Sequence, residues 1–536
     1  MPFATTHTVA LHGALGHLID VQADVSPGQA GLVMGGRLDL SLREAGDRCR
    51  MAILNSELEW PATKRITLLL SPADLHKRGP HFDLAIAVAV LAADGRIPAA
   101  ALAGVAFIGE LTLDGRLRSV PGVLPMVLAA ADRGVRHVFV PEPQAREAAM
   151  VPSMTVLGMR SLLQVVAELR GEEVPAAPPV AAMSGTRLLS WRGDDRLDEV
   201  DLADLRGMTD ARFAIEVAAA GGHALHLSGP KGSGKTSIAE RIPTILPDLG
   251  AEEALELTAV HSLAGALEPG DELITRPPFS APHHDASKVS IVGGGTGQVR
   301  PGEISRAHAG VLLLDEWPLF RADIIDALRQ PLESGEITIA RTDESATLPA
   351  RTLVVLACNP CPCGDYAEDR GKNRCTCRPV ELRDYRRKMR APIADRIDIS
   401  RYVGPLQPHD HDRFSHCESS AEVRLRVTAA RQRQAERYAE CGWRLNGQVP
   451  GPVLRERWPL PAAAQRLIDD RLYAGKLSSR GAVRVHRLAW TVADLGAVGQ
   501  ADPAVDSTPG VAEVDVALRL RAGEPLLVST LERRAG

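Results

Sequence analysis

The segment Gly229–Thr236, GPKGSGKT, limits what this chain can fold into more than any other feature of its sequence. It fits the pattern G-x-x-x-x-G-K-[ST] and lies between the apolar run ALHLS and a helix-like stretch, as the pattern requires. Glycines let backbone N–H groups wrap phosphate oxygens without Cβ clashes, and the following helix adds a favourable dipole. The segment therefore predicts an ATP site in an α/β domain with a parallel sheet. The alternative is a glycine-rich turn without a ligand.

The side chains expected around the nucleotide have distinct roles. Lys235 would reach the β- and γ-phosphates, and Thr236 would coordinate Mg²⁺. The apolar run GVLLLDE predicts a buried strand that ends in Asp315, for the Mg²⁺ shell, and Glu316, to polarise the attacking water. A strand capped by surface acids is the alternative. The residues expected to line the phosphates are Gly229, Pro230, Lys231, Gly232, Ser233, Gly234, Lys235, Thr236 and Ser237.

Further polar residues follow the core motifs. Asn359 ends the apolar strand TLVVLACN and is expected to orient the water against the γ-phosphate, although Asn before Pro is also a turn signal. Arg396 suits the charge on the transferring phosphoryl group and would act on a neighbouring subunit in a ring. A surface ion pair with Asp395 or Asp398 is the alternative. Arg480, Arg484 and Arg487 share helical spacing, and Arg480 is the expected contact to the γ-phosphate.

Composition places these motifs in an ordinary globular chain. Apolar residues make up 45% of the 536 residues, and the net charge of −5 argues against a uniformly basic coat. The Pro- and Ala-rich segment 171–186 is read as a linker. It divides an α/β domain at 1–170 from the nucleotide-binding core at 187–400, and a helical domain follows at 401–536. We see no secretion signal and no membrane span, so we expect a cytoplasmic protein.

The eight cysteines are then expected to be reduced, metal-bound or inert. Four of them, in CPCGDYAEDRGKNRCTC, could complete a tetrahedral Zn²⁺ site: Cys361, Cys363, Cys375 and Cys377. The C-x-C spacing is tighter than the common C-x₂-C, so four free thiols in a loop remain the alternative. His283, His284 and Asp285 are a weaker metal candidate, because adjacent loop histidines more often make polar or nucleic-acid contacts.

Six motifs together resemble the magnesium-chelatase-like AAA+ ATPases of the ComM/YifB type. They are DLADLRGMTDARFAIEVAAAGGHALHLSGPKGSGKT, PFSAPHHDAS, RPGEISRAHAGVLLLDEWPLF, LRQPLESGEITIAR, LACNPCPCG and DRIDIS. The resemblance implies an AAA+ core, a hairpin at Gly335–Ala350 and a helical lid. It also implies a homo-oligomer, usually a hexamer, that acts on DNA and promotes branch migration when single-stranded DNA is integrated by recombination. Recombination proteins are then possible partners. Departures at Lys231, Leu319 and in APIADRID remove no catalytic group but indicate a divergent member.

The resemblance also implies that the N-terminal domain has the Lon-protease-like, ribosomal-S5-like α/β fold. Lon-type peptidases need a serine in a Gly-Pro-Ser-Ala-Gly stretch and a lysine. The matching stretch here, GPHFD, has His81 at the serine position, and Val120–Ala131 contains no lysine. We therefore expect a scaffold or a DNA- or partner-binding domain that is catalytically inactive.

The sequence leaves the cargo of such a motor open. Lys288, Arg300 and Arg306 flank a glycine-rich loop and are candidates for a DNA-facing channel, whereas the basic run RDYRRKMR at 383–390 also fits a solvated helix face. Two other functions compete with a DNA helicase. One is a chelatase- or MoxR-like motor for metal insertion or protein remodelling, and the other is a regulatory ATPase that binds DNA without unwinding it.

Overall fold

Two large β-sheets organise the protein. The computed structural model describes residues 3–181, 200–295, 299–340, 345–366, 373–389, 393–404, 417–498 and 508–527. Within these residues one sheet is mixed and lies before residue 160, and the other is wholly parallel and lies between residues 225 and 402. Helices alone follow the second sheet among the described residues. The predicted combination of a mixed α/β part, a parallel-sheet core and a helical C-terminal part is confirmed.

The mixed sheet has seven strands in the order β11-β10-β7-β1-β2-β5-β3, and two short strand pairs, β4–β6 and β8–β9, accompany it. Its centre is an antiparallel pair of long strands that share ten residue pairs, from Phe3–Asp24 to His12–Leu15. The strands are β1 Phe3–His12, β2 Leu15–Ser26, β3 Gly31–Gly35, β4 Arg37–Leu38, β5 Arg65–Ser71, β6 His76–Lys77, β7 Val105–Phe107, β8 Glu110–Leu111, β9 Leu117–Arg118, β10 His137–Pro141 and β11 Thr155–Met159.

Six helices cover this sheet. They are α1 Leu40–Arg43, α2 Ala45–Asn55, α3 Asp83–Ala93, α4 Val123–Asp132, α5 Ala145–Ala149 and α6 Leu162–Arg170. All eleven residues of α3 are buried, and the helix packs against β1, β2 and α2. Its continuous apolar sequence therefore reflects a helix enclosed on every side. No helix among the described residues is long and apolar enough to cross a membrane.

The parallel sheet has five strands in the order β13-β16-β19-β12-β20. They are β12 Leu225–Ser228, β13 Phe279–Ser280, β16 Val311–Leu314, β19 Leu353–Cys358 and β20 Ile399–Tyr402. Two antiparallel pairs leave the sheet: β14 Gly293–Gly294 with β15 Arg300–Pro301, and β17 Glu336–Ala340 with β18 Ser345–Pro349. The second pair is the hairpin expected at Gly335–Ala350, and its tip at 341–344 lies outside the described residues.

Helices surround this sheet and continue to the end of the described chain. Those of the core are α7 Thr209–Gly221, α8 Lys235–Glu240, α9 Ile242–Ile245, α10 Ala251–Ala264, α11 Lys288–Val292, α12 Glu303–Arg306, α13 Ala322–Ala327, α14 Arg329–Ser334 and α15 Pro379–Met389. The C-terminal helices are α16 Ser420–Arg437, α17 Gly451–Arg457, α18 Ala462–Tyr473, α19 Ser479–Gly496 and α20 Val511–Ala522. Because α16 and α19 pack on α7, and α20 on β20, one apolar cluster joins the C-terminal helices to the sheet.

The N-terminal part is fastened to the core through α10. Ser262 Oγ lies 2.5 Å from Glu147 Oε1, and the backbone N–H of Gly122 donates to the Ser262 carbonyl at 3.0 Å. Ala259 of α10 joins the apolar cluster beneath α4. A second contact lies at the β1–β2 turn, where a Cβ on Gly13 would meet Ala346 Cβ of the hairpin at 3.0 Å. The mixed sheet therefore contacts both the core and its hairpin.

The segment predicted as a linker has a definite position over its first part. Gln164 Nε2 donates to the Pro175 carbonyl at 2.8 Å, and Arg160 donates to the Ala177 carbonyl at 3.0 Å. These bonds hold the segment against α6 and its preceding strand. Residues 182–186 lie outside the described residues, and the domain boundaries at 170, 186 and 400 stay predictions.

Five histidines inside the fold, four of them buried and His226 half-buried, make stability depend on pH. Burial disfavours the imidazolium and lowers the pKa of each to about 4: His81, His223, His226, His261 and His486. Their folded pKa values lie below the unfolded value of about 6.5, so stability that is complete above that pH is lost as the pH falls toward 4. We expect each histidine to contribute up to about 1.4 kcal/mol per pH unit in that window.

The check is urea unfolding at about pH 7, 6 and 5, together with proton uptake on unfolding. Midpoints should fall steadily, and the unfolded chain should bind several more protons than the folded chain near pH 5.5. A midpoint that stays constant over this range would contradict the assignment of these rings as neutral and buried.

Candidate nucleotide site

Three adjacent strands of the parallel sheet end at one edge. β19 lies between β16 and β12, and all three run in the same direction. Since the carboxyl ends of parallel strands meet at the same edge, they bring together the loop after β12, Asn359 after β19 and Asp315 after β16. This edge is where open α/β sheets bind their ligands.

The glycine loop encloses the ammonium of Lys235. Lys235 Nζ donates to the carbonyls of Gly229 and Pro230, each at 2.9 Å, and to Asn359 Oδ1 at 3.1 Å. Gly232 and Gly234 have φ angles of +75° and +85°, which favour glycine, and α8 begins directly after them. Burial lowers the pKa of Lys235, opposed by the nearby Asp315 and Glu316 carboxylates. The lysine is thus held by neutral oxygens beside an acidic pair.

Thr236 and Asp315 form the second link across the edge. Thr236 Oγ1 donates to Asp315 Oδ2 at 2.7 Å, and Asp315 Oδ1 accepts the backbone N–H of Glu316 at 2.8 Å. A hydroxyl and a carboxylate at this distance offer the oxygen ligands that Mg²⁺ prefers. Glu316 is exposed and has φ +50°, a left-handed conformation that costs free energy for a residue with a Cβ and that is common at functional sites.

Asn359 is fixed at both its side chain and its backbone. Its Oδ1 accepts from Lys235, and its carbonyl accepts from the Tyr385 hydroxyl of α15 at 3.2 Å. Burial raises the pKa of Tyr385 well above its usual value, so the hydroxyl stays protonated and can donate. Sequence analysis missed the role of Tyr385, which was read only as part of a basic run. No sequence pattern indicates that this tyrosine would contact Asn359, which lies 26 residues earlier in the chain.

A cavity of about 430 Å³ opens beside the glycine loop. Leu205 and Met208 supply an apolar wall, and a Cβ on Gly234 would approach Met208 Cε to 3.0 Å. Gly232, Ser233 and Ser237 of the predicted phosphate loop line the same cavity, as does Arg241. Sequence analysis did not single out Leu205 or Met208, because two apolar residues in a loop look like any core contact.

Arg396 lies at the opposite edge of the sheet. Ile399 of β20 pairs with Leu225 of β12 in parallel, so the turn before β20 flanks the amino end of the strand whose carboxyl end carries the glycine loop. Four strand residues separate these edges by roughly 13 Å. Arg396 is 8% exposed, and its Nε donates to Glu333 Oε1 at 2.7 Å. Its ion-pair partner is therefore Glu333 of α14, where sequence analysis had named Asp395 or Asp398.

The three arginines of α19 have different surroundings. Arg484 is buried and paired with Asp398 at 2.5 Å, and Arg487 Nε donates to the Val449 carbonyl at 2.8 Å. Arg480 is exposed in the first turn of the helix. Ser478, just before that turn, donates to Asp395 Oδ1 at 3.1 Å, which puts Arg480 on the same edge as Arg396. Arg480 is the member of the three that is exposed to solvent.

The four cysteines of the CPCG…CTC segment converge. Their Sγ atoms all lie within 4.8 Å of one another, and individual separations are 3.2 Å for Cys361–Cys363, 3.6 Å for Cys363–Cys375 and 3.7 Å for Cys361–Cys375. These separations are too long for disulfides. The cluster is compatible with a thiolate metal site. Residues 367–372 between the two pairs lie outside the described residues.

The remaining residues that the sequence suggested as metal ligands or DNA contacts do not lie beside the glycine loop. His283, His284 and Asp285 lie together, with His283 and Asp285 exposed, so their geometry leaves the weaker metal reading open. Arg306 is 4% exposed and paired with Glu303 at 2.5 Å, so the prediction that it faces a channel is wrong. Lys288 and Arg300 are exposed. Arg306 differs from Lys288 and Arg300 because it is buried in an ion pair, which the sequence does not reveal.

His81, which occupies the serine position of the Lon-type stretch, is buried in the N-terminal part. Its Nε2 lies 2.9 Å from the Val9 carbonyl of β1. Burial lowers its pKa to about 4, so the ring is neutral over the ordinary pH range. The adjacent Asp83 is fully buried and takes two hydrogen bonds from Arg48, at 2.9 and 3.0 Å. Both side chains are engaged in interior contacts.

Comparisons with known protein families agree with this architecture. Residues 201–411 match the family model described as magnesium chelatase, subunit ChlI, and residues 21–144 match a second model, subunit ChlI of Mg-chelatase. Residues 417–521 match the magnesium chelatase subunit ChlI C-terminal model. A Lon protease of Xanthomonas oryzae is also 25% identical over 26% of this chain and 17% of its own length, in the N-terminal region.

Relatives match nearly the full length. A protein of Mycobacterium tuberculosis is 42% identical over 97% of this chain and 99% of its own length. YifB of Escherichia coli is 39% identical and the competence protein ComM of Haemophilus influenzae is 36% identical, each over 92% of this chain and 94% of the relative. With such identity over such a span, the chain belongs to the magnesium-chelatase-like AAA+ family of the ComM/YifB type.

Proposed function

We propose that this protein is an ATP-driven AAA+ ring motor that acts on DNA and promotes branch migration when single-stranded DNA is integrated by recombination. The observation that carries the proposal is the separation of Lys235, Asp315 and Asn359 at one sheet edge from Arg396 at the other. A ring of subunits would join these two edges. The relative named competence protein ComM supports DNA as the cargo.

Each residue of the glycine-loop edge then has a chemical role. Lys235 exchanges its carbonyl contacts for the β- and γ-phosphate oxygens, and the backbone amides of Gly229–Thr236 bind the phosphates. Thr236 and Asp315 would hold Mg²⁺, which would supply positive charge against the phosphates. Glu316 accepts a proton from the attacking water, and Asn359 orients that water. Leu205 and Met208 cover the nucleotide base.

Arg396 and Arg480 are proposed to serve the nucleotide of an adjacent subunit. Both lie on the edge opposite their own glycine loop, and a guanidinium stabilises the charge that spreads over the transferring phosphoryl group. Glu333 holds Arg396 in a preset orientation through the 2.7 Å ion pair. A closed homo-oligomer, a hexamer on the family pattern, satisfies every such interface at once.

DNA contacts are assigned to exposed cations near the hairpin. Lys288 begins the helix before β14 and Arg300 begins β15, and Ile339 of the hairpin lies against Gly293 of β14. Phosphate contacts from these side chains give salt-dependent affinity without base specificity. The N-terminal part, which touches the hairpin through Gly13, is proposed to support it and to engage DNA or recombination proteins. The proposed location of this machinery is the cytoplasm.

The four-cysteine cluster is proposed to hold one structural Zn²⁺. Four thiolates form the commonest closed donor set for this ion, and a metal cross-link would fix a polar loop that has little apolar surface. The cluster follows Asn359 by a single residue, so its order bears on the nucleotide site.

A motor for metal insertion or protein remodelling is the second candidate. The observation in its favour is that all three matched family models describe a magnesium chelatase subunit. The two candidates share the hydrolytic site and differ in cargo. DNA-dependent activity therefore separates them.

The first prediction concerns the loop lysine. Lys235→Ala should lower ATP affinity and turnover by about 100-fold or more, because the phosphates lose their central cation. ATP binding by calorimetry and phosphate release measure the two effects. Lys476→Ala, an exposed lysine in the C-terminal part, is the matched control and should behave as the natural chain. Equal ATP binding by the two variants would refute the assignment of the loop.

Sharing of sites between subunits predicts complementation. Arg396→Ala and Glu316→Gln should each lower turnover by about 100-fold or more. A one-to-one mixture should exceed the mean of the separate activities, because Arg396 of the second variant completes the intact site of the first. The control mixture pairs Arg396→Ala with the double variant, which offers no arginine. No gain over the mean would place Arg396 outside the neighbour's site.

DNA unwinding is tested by displacement of a labelled strand from forked and three-stranded DNA. We expect ATP-dependent displacement by the natural chain and none by Lys235→Ala, since hydrolysis drives movement. Lys476→Ala again serves as the control. ATP hydrolysis that DNA stimulates without strand displacement would favour the regulatory ATPase. A hydrolysis rate that DNA does not change would favour the chelatase-like motor.

A further inference from the structure

The cysteine cluster lies against three parts of the nucleotide site. We propose that Zn²⁺ bound by Cys361, Cys363, Cys375 and Cys377 holds the segment that carries Asn359 and covers Lys231, so that the geometry of the glycine loop depends on the metal. The inference rests on the proposed ATPase function for its effect on turnover. Its structural part, a metal-dependent glycine loop, stands on the contacts of this segment alone.

The sulfur separations fit the donor set of zinc. A Zn–S bond of about 2.3 Å in a regular tetrahedron places neighbouring sulfurs about 3.8 Å apart. The separations of 3.6 and 3.7 Å from Cys375 to Cys363 and Cys361 match this value, and the 3.2 Å between Cys361 and Cys363 needs only a small adjustment. Cys361 is fully buried, so its sulfur faces the cluster and not solvent.

The first link between the cluster and the site is covalent. Asn359, Pro360 and Cys361 are consecutive, so the ligand sulfur of Cys361 is anchored one residue beyond the amide that accepts from Lys235. A metal bond at Cys361 limits how far the end of β19 can move. The direction of the Asn359 side chain is limited with it.

The second link is a contact with the glycine loop itself. Gly364 has φ +87°, and a Cβ at this position would lie 3.2 Å from Lys231 Cβ and 3.9 Å from Asn359 Cγ. The backbone N–H of Gly364 donates to the Cys361 carbonyl at 3.0 Å. The turn that carries two of the ligands is therefore packed directly on the phosphate loop.

The third link runs through α15, which begins two residues after Cys377. Tyr385 of this helix donates to the Asn359 carbonyl at 3.2 Å, and Lys388 Nζ donates to the Pro318 carbonyl at 3.1 Å, just beyond Asp315 and Glu316. Zinc would close the chain between Cys361 and Cys377 and so fix the start of α15 relative to the end of β19. Without it, a long polar loop separates the two ends.

Loss of the metal should act on geometry more than on the overall fold. The sheet has its own apolar core, whereas the segment from Cys361 to Cys377 has few apolar contacts among its described residues. A displacement of about 1 Å at Asn359 or Lys235 is enough to cost a large factor in rate. Zinc thus acts on this site as a positioning element, and it does not touch the reacting atoms.

The test begins with the full chain and Zn²⁺ as the probe. Elemental analysis should find about one Zn²⁺ per chain. A chelator selective for Zn²⁺ over Mg²⁺ is then used to remove the metal, and hydrogen exchange at residues 229–237 is compared before and after. We expect faster exchange in that loop and a fall in turnover of about tenfold or more, both reversed by added Zn²⁺.

Matched variants separate metal binding from coupling. Cys375→Ser should lose the metal and reproduce both changes, while Cys441→Ser, whose thiol lies in the C-terminal part, should retain about one Zn²⁺ and normal turnover. Gly364→Ala keeps all four thiols but adds a Cβ against Lys231. It should keep Zn²⁺ and still raise KM for ATP several-fold.

Each outcome decides a different point. Absence of stoichiometric zinc overturns the inference. If zinc is bound but its removal leaves hydrogen exchange in the glycine loop unchanged, the coupling is overturned, whatever the rate of ATP turnover. Suppose that removing zinc from the natural chain speeds hydrogen exchange in the glycine loop, but that the chain never hydrolyses ATP. This result upholds the coupling and refutes the proposed function.

Discussion

The parallel register of β16, β19 and β12 is the constraint on which the nucleotide site depends. Thr236 and Asp315 are 79 residues apart in sequence, and Lys235 and Asn359 are 124 apart, yet each pair is joined by one hydrogen bond. β16 and β19 are short and almost wholly apolar, and Leu225 and Leu227 of β12 are buried beside them, so burial fixes the relative heights of the strands without help from the polar edge. If β12 slipped by one residue, its side chains would exchange faces and both hydrogen bonds would be lost, whereas a slip of β16 or β19 would break one of them.

The opposite edge of the same sheet is organised around Asp398. Burial by itself would raise the pKa of this carboxyl, but the Arg484 guanidinium beside it holds the pKa lowered, so it remains charged. It accepts from the Ala224 N–H at the start of β12 and from Arg484 of α19. This one carboxylate therefore joins the start of β12 to the C-terminal helices, next to the turn that carries Arg396.

Family membership determines the hydrolytic machinery more firmly than the cargo. Residues that bind phosphate and metal face a ligand of fixed chemistry, so many motors share them. The contacts proposed for DNA would instead come from exposed loops such as those around Lys288 and Arg300, where the structural demands are weak. The N-terminal part adds a further surface beside the core, because it contacts the hairpin at Gly13 and α10 at Glu147.

The sequence alone determined the parallel-sheet core, the helical C-terminal part and the glycine loop, since these depend on local patterns that one stretch of chain contains. The apolar runs RITLLLS and HVFVP form strands, whereas the long β1–β2 pair has a weaker signal in the sequence because its alternation is broken by polar threonines and histidines that the sheet partly buries. Only the tertiary structure decided that Glu333 is the partner of Arg396, that Tyr385 supports Asn359 and that Arg306 is interior. Such pairings join distant segments, and no local pattern of residues records which segments a fold will bring together.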